Sequence, residues 1–260
     1  MERITEVQEL RGIQMGILDE IHRFCTSRGI TYFLSSGTLL GAVRHGGYIP
    51  WDDDLDLYMP RVDYERFLAT YVDEKGVYRA LTPKLERNYY YTFAKVVDTR
   101  TRMVEEETKG FEIGVYVDIF PIDYVSDDEH ERERVFKKKH LLYKIRRCKL
   151  SKTCCLNNRL AWLCYRWLPI PLGVINGMIE RLVVKRAPTN TMCNMTEAGP
   201  SLRGCFPAKL LESAVDIDFE GKTYKTMVGY KDYLEHTYGD YMTLPPENER
   251  QHHHFEAWWK

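Results

Sequence analysis

The sequence predicts an α+β fold carrying a helical insertion, and three observations predict it. An amphipathic helix opens the chain and stops at a glycine. Short apolar runs separated by turn residues then dominate up to Asp123. Strongly charged, helix-forming sequence follows from Asp128, before a closing hairpin and helix. At 260 residues the chain can bury a substantial core. We divide it into a core over 1–127, a helical insertion over 128–204, and a C-terminal hairpin, helix and tail over 205–260 that complete the core.

Taken in order, residues 3–28 keep helical spacing through Ile4, Val7, Leu10, Ile17, Leu18, Ile21 and Phe24, with Gly29 as the stop. Packing is the expected role of this helix. Ile30–Leu34 reads as a short strand. Ser35-Ser36-Gly37-Thr38 is a small polar turn that opens a short helix through Arg44, and the first N–H groups of such a helix lack partners within it. Gly46 and Gly47 end it, and Pro50 begins an extended segment. Val62–Tyr71 reads as a second amphipathic helix. Strands are expected around Tyr78–Leu81, Tyr90–Val97, Arg102–Glu105 and Val115–Ile119. Asp127 and Asp128 cap a helix that turns basic through Lys137, Lys138, Lys139, Lys144, Arg146, Arg147 and Lys149. Residues 160–184 are rich in apolar and aromatic side chains but broken by Pro169, Pro171 and Gly173. The unbroken part falls short of the about 20 residues a bilayer span needs. Residues 187–204 read as a loop, Ala214–Tyr224 as a hairpin turning at Glu220-Gly221, and Tyr230–Tyr238 as a helix closed by Gly239.

Composition excludes several classes. A formal charge of -1 excludes a generally basic nucleic-acid binder, so no nucleic acid is expected as partner. The seven cysteines have no regular spacing and form no Cys-x-x-Cys pair. They read as reduced thiols without a zinc framework, in a cytoplasmic protein. The N-terminal MERITEVQEL lacks the apolar core of a signal peptide. Without such a signal, the glycosylation sequon Asn194-Met195-Thr196 is expected to be coincidental.

The chemistry concentrates after Pro50, where Asp52, Asp53, Asp54 and Asp56 arrive within five positions. In a strand, residues 52, 54 and 56 share one face. Three carboxylates there repel one another unless a positive charge sits among them, and Mg²⁺ prefers such oxygen ligands. The preceding helix start suits a phosphate. Asp118 stands in mid-strand among apolar residues, where an unpaired carboxylate would cost several kcal/mol. It needs a partner: a metal shared with Asp54 and Asp56, or an ion pair with Lys95 or Arg102. Lys95 is a lone cation in an apolar strand, suited to a structural salt bridge or to a phosphate. Asp123, just past Pro121, is expected to hold a turn.

Gly37-Thr38-Leu39-Leu40-Gly41, Arg44, Gly46-Gly47 and Ile49-Pro50-Trp51-Asp52-Asp53-Asp54-Leu55-Asp56 resemble the LicD family. This family comprises nucleotidyltransferase-like phosphotransferases, among them bacterial phosphocholine transferases and animal fukutin-type proteins. Asp118-Ile119-Phe120-Pro121-Ile122-Asp123 is similar to its second signature, and the tail from Tyr238 to His254 to its C-terminal one. The resemblance covers three blocks, 33–60, 90–123 and 228–254. The wider fold usually has Gly-Ser or Gly-Gly at the helix start, where this chain has Gly37-Thr38.

The resemblance implies a nucleotidyltransferase-like mixed sheet flanked by helices. It also implies Mg²⁺-dependent transfer of a phospho-alcohol, typically phosphocholine, from a CDP-activated donor to a hydroxyl of a cell-surface glycan such as lipopolysaccharide, teichoic acid or capsule. On that reading Asp54, Asp56 and Asp118 hold Mg²⁺, with Mn²⁺ able to substitute. Ser36, Gly37 and Thr38 receive phosphate oxygens, Arg44 and Lys95 add positive charge, and Asp118 or Asp52 serves as base. A lysine recurs in the family at the strand of Lys95, which favours phosphate contact there, and Asp123 recurs too, which leaves it a site role. A nucleotidyltransferase proper or a glycosyltransferase would use the same acids, and a non-catalytic glycan-assembly scaffold is the third reading. Residues 137–184 read either as a packed insertion or as a peripheral contact with the inner face of the membrane. Asp216-Ile217-Asp218 lacks the lead-in motif and reads as a solvated strand face. His252, His253 and His254 are placed on the surface or beside the acceptor.

Overall fold

The computed structural model describes residues 1–86, 89–104, 112–151, 154–184, 187–196, 204–250 and 255–260. The first part of the chain forms β1 (Glu2–Ile4), α1 (Val7–Arg28), β2 (Phe33–Leu34), α2 (Ser36–His45), β3 (Asp56–Pro60) and α3 (Arg61–Thr70). Strands β4 (Tyr78–Leu81), β5 (Ala94–Asp98), β6 (Thr101–Val104), β7 (Glu112–Ile113) and β8 (Tyr116–Val125) follow. The insertion supplies α4 (Glu129–Leu150), α5 (Arg159–Trp167) and α6 (Leu172–Val183). The chain closes with β9 (Thr191–Asn194), β10 (Cys205–Pro207), β11 (Ala214–Phe219), β12 (Lys222–Met227), α7 (Tyr230–Tyr238) and β13 (Glu256–Trp259). This is the α+β architecture that the sequence predicts, built on a mixed sheet.

Strand β8 is the spine of that sheet. On one edge it runs parallel to β3, which pairs antiparallel with β2. Its other edge is shared. Residues 116–119 pair antiparallel with β5, which carries β4, and residues 122–125 pair antiparallel with β9, which carries β10. Pro121 sits in the middle of this ten-residue strand without breaking it. The Asp118 N–H donates to Leu55 O on the β3 side (2.8 Å). By alternation the N–H that Pro121 lacks would face the opposite edge, at the gap between the β5 and β9 ladders, where no partner is due.

Helix α1 lays Leu10, Ile17, Leu18, Ile21 and Phe24 into the core with the sheet's Leu57, Val96, Val117 and Ile119. Gly29 ends it in the left-handed region (φ 59°), its N–H turned back to the last helical carbonyls. A second cluster joins Phe136, Tyr143 and Ile145 of α4 to Ile175, Ile179 and Val183 of α6 and to Cys193 of β9. The β11–β12 hairpin turns at Glu220 (φ 51°) and Gly221 (φ 73°), as its Glu-Gly pair predicts.

Several expectations change. The first residues do not belong to α1: Glu2–Ile4 pair with Trp259–Ala257, and Ile4 is buried. The strand expected over Tyr90–Val97 starts at Ala94, because the carbonyls of Tyr89, Tyr90 and Tyr91 go to the buried guanidinium of Arg146 instead of a ladder. The loop expected over 187–204 contains β9. Asp123 lies inside β8 rather than in a turn and binds Arg61 of α3 through both oxygens (2.7 and 2.6 Å). Asn194 of the sequon is buried in β9, its Oδ1 accepting from the N–H (3.0 Å) and hydroxyl (2.6 Å) of Thr196. The seven cysteines are free thiols. Among the described residues no helix is long and apolar enough to cross a membrane. His252, His253 and His254 lie outside the described residues.

Candidate active site

The acidic stretch is a loop, not a strand, up to Leu55. Helix α1 holds it there. Arg11 Nη2 donates to the carbonyls of Ile49 (2.9 Å), Pro50 (3.2 Å) and Asp52 (2.6 Å), and Gln14 Nε2 donates to Asp53 O (2.7 Å). These carbonyls are therefore unavailable to a sheet ladder, and the expected alternation of 52, 54 and 56 on a strand face does not arise. Helix α1 thus does more than pack. The signal for more was Gln14, a polar side chain on the buried face of the helix between Leu10 and Ile17, with Arg11 one turn before it.

Only Asp56 enters the sheet. Its N–H donates to Thr38 Oγ1 (2.8 Å), which ties the start of β3 to the first turn of α2. In the parallel register of β3 and β8, Asp56 stands opposite Asp118, and in the antiparallel register of β8 and β5, Asp118 stands opposite Lys95. Three adjacent strands thus carry a row of two carboxylates and an ammonium on one face. Lys95 Nζ donates to Asp118 Oδ1 (2.7 Å) and lies 3.3 Å from the ring centroid of Tyr116 and 4.2 Å from that of Tyr91. Of the two side chains expected as ion-pair partners of Asp118, Lys95 is the one it binds, while Arg102 pairs with Glu112.

The electrostatics of the row follow from burial. Desolvation, with Asp54, Asp118 and Asp52 adding repulsion, raises Asp56 well above the usual carboxylate range. Burial also raises Asp118, to about 6, although Lys95 opposes the shift. Burial lowers Lys95, with Asp118, Asp54 and Asp56 pulling it back. Asp54, in the loop, is close enough to act on all three.

The start of α2 faces this row. Ser35 is its N-cap, and the buried Ser35 Oγ has no hydrogen-bond partner. Ser36 adopts φ 48°, a conformation non-glycine residues hold only under constraint. Its side chain and backbone both bond the buried hydroxyl of Tyr233 in α7, which also meets Tyr58 Oη (3.3 Å). Gly37 lies close to Asp52: a Cβ there would come 2.7 Å from Asp52 Oδ2 and displace that carboxylate. Arg44 stands apart, in the last turn of α2, with Nη1 donating to Tyr241 O (2.9 Å). So Ser36, Gly37, Thr38, Asp54, Asp56, Asp118 and Lys95 gather at one place, and Arg44 does not.

Whether the site fits a divalent cation is decided by its donors. Among the described residues no three His, Cys, Asp or Glu side chains stand close enough to hold one ion as they lie. Lys95 binds one oxygen of Asp118, Oδ1. Nevertheless, two buried carboxylates with raised proton affinity and a third nearby, set against one ammonium, leave uncompensated negative charge on oxygen ligands. That donor set fits a hard cation.

Comparison with known proteins identifies relatives of the chain. The family described as LicD/FKTN/FKRP, nucleotidyltransferase domain, matches residues 29–171. The lipopolysaccharide cholinephosphotransferase LicD of Haemophilus influenzae is 30% identical over 98% of this chain and 98% of its own length. The human ribitol 5-phosphate transferase FKRP is 62% identical over a short segment, 11% of this chain and 6% of its own. Mannosyltransferase regulator 4 of Saccharomyces cerevisiae is 28% identical over 45% of this chain and 10% of its own.

Proposed function

The chain belongs to the LicD family, and from that premise we propose that it transfers a phospho-alcohol, phosphocholine first, from a CDP-activated donor to a glycan hydroxyl. The observation that carries this reading is the opposition of Asp56 and Asp118 on parallel strands, at the foot of a helix start holding the unpartnered Ser35 hydroxyl. Asp54, Asp56 and Asp118 would hold Mg²⁺, which when bound supplies charge neutralisation at the donor diphosphate. The N–H groups at the start of α2, over Ser36, Gly37 and Thr38, receive phosphate oxygens. Lys95 fixes Asp118 and keeps the row from repelling itself apart. The acceptor oxygen forms its bond to the distal phosphorus as the bond to CMP breaks. The proton leaves for a site carboxylate, Asp118 or Asp52, the latter beside Gly37.

The reading extends to the glycan's carrier. In α5 the residues Leu160, Leu163, Cys164 and Trp167 are exposed, while Arg166 turns inward to the carbonyls of Cys148, Lys149 and Ser151. An amphipathic helix with its apolar stripe outward, on an insertion that also exposes Lys137, Lys138 and Arg147, suits an anionic membrane surface. In this proposal the insertion docks there and brings a lipid-linked acceptor to the site.

The test is a transfer and thermal-shift panel of CDP-alcohols, nucleotide sugars and nucleoside triphosphates, with and without Mg²⁺, on wild type and Asp56→Asn. Mg²⁺-dependent transfer from a CDP-alcohol, lost in the variant, is expected. Response to nucleotide sugars or triphosphates alone would overturn the reading.

A further inference from the structure

One strand step from the charged row, the same face of the sheet carries aromatic rings. Tyr58 follows Asp56 by two residues, and Phe120 follows Asp118 by two, so Tyr58 and Phe120 are again opposed in the β3–β8 register. Phe93, just before β5, continues this second row with its ring centroid 4.3 Å from that of Phe120. Tyr91 lies beyond it, 5.3 Å from Phe93. Same-face rows in a strand stand about 6.5 Å apart. Tyr58 is buried beneath Phe206 and Tyr233, whereas Phe120, Phe93 and Tyr91 are half-buried and reach solvent.

We infer that Phe120, Phe93 and Tyr91 form the subsite for a quaternary ammonium head group, held one side-chain row away from the carboxylates. The inference rests on the phospho-alcohol reading above and selects, among alcohols, a cationic one. Aromatic faces attract cations, and these rings already do so: the Lys95 ammonium lies 4.2 Å from the Tyr91 centroid and 5.3 Å from that of Phe93. Lys95 is buried, whereas Phe93, Phe120 and Tyr91 are half-buried, so the ligand is placed against the exposed part of the rings. Nor does its charge exclude a second cation, because Lys95 is paired with Asp118 and the donor diphosphate brings negative charge of its own. The spacing suits choline, whose two-carbon arm separates phosphate from trimethylammonium by about one row. Arg146 makes the subsite a product of the insertion. From α4 it grips the carbonyls of Tyr89, Tyr90 and Tyr91 and so sets the approach of Tyr91 and Phe93 to the sheet.

The experiment compares transfer from CDP-choline with transfer from its uncharged isostere, the CDP ester of 3,3-dimethylbutanol. Wild type is expected to favour choline roughly tenfold in kcat/KM, mostly through KM. Phe120→Leu and Phe93→Leu should bring the ratio close to one, while Phe120→Tyr, which keeps a π face, should preserve it. Thermal unfolding of each variant checks that it folds. A wild type indifferent to the charge, or a preference that survives both leucine variants, overturns the subsite while leaving phospho-alcohol transfer standing. Transfer from neither donor, with another CDP-alcohol accepted, overturns the choice of a cationic alcohol. Transfer from no CDP-alcohol at all overturns both readings.

Discussion

Lys95→Met tests the row of charges most directly. The ammonium is buried, 2.7 Å from Asp118 Oδ1, and among three aromatic rings. Methionine keeps the apolar stem but leaves Asp118 beside Asp56 and Asp54 with no cation. Breaking a buried pair from one side costs about 3–5 kcal/mol. For a chain of this size that lowers Tm by about 10 °C. Asp118 can escape part of the cost by taking up a proton, and this gives the effect its pH dependence. Its folded pKa, already raised to about 6, rises further in the variant. A carboxyl with a raised folded pKa contributes stability below its unfolded value, near 3.9, and loses it as pH rises through the folded pKa. The deficit of Lys95→Met should therefore be small at pH 5 and full at pH 8. The assay is denaturant unfolding at both pH values in EDTA, so that no ion substitutes for the ammonium. Adding Asp118→Asn to the variant should recover most of the deficit. A deficit equal at both pH values, or unaffected by the second substitution, would refute the pairing.

Other outcomes follow from the same geometry. Protons on Asp56 and Asp118 compete with a divalent ion, so Mg²⁺ affinity measured by calorimetry should rise roughly tenfold from pH 5.5 to 7.5, and a flat profile would exclude these carboxylates as ligands. Gly41→Ala would drive a Cβ into the Gly47 carbonyl oxygen and to 3.2 Å from Ile49 N. It should cost about 2 kcal/mol or more in denaturant unfolding, and a neutral result would mean the α2–loop contact is looser than described. Phosphatidylglycerol vesicles at low salt should retain the protein, and Leu160→Glu with Trp167→Glu should weaken that at least roughly fivefold. Equal binding to neutral vesicles, or none to either, would remove the membrane contact.

Gly37-Thr38 and the run Pro50–Asp56 mark the site in sequence because their chemistry is local: a helix start, a break, and four carboxylates within five positions. The mid-strand Asp118 is legible for the same reason, since an acid among apolar neighbours demands a partner. The hairpin at Glu220-Gly221 and the end of α1 at Gly29 are likewise set by residues adjacent in the chain. Long-range partners decided the rest. Arg11 and Gln14 hold the acidic loop out of the sheet, Arg146 shortens the strand before Lys95, and β13 pulls the first residues away from α1. In each case a polar group far along the chain takes a carbonyl or edge that local pattern would assign to a helix or ladder. The register of β3, β8 and β5 is likewise a tertiary fact. Strand periodicity says only that Asp56, Asp118 and Lys95 each point to some face. Packing of the sheet against α1 and α3 sets the slide between strands that brings the three into one row and the rings of Tyr58, Phe120 and Phe93 into the next.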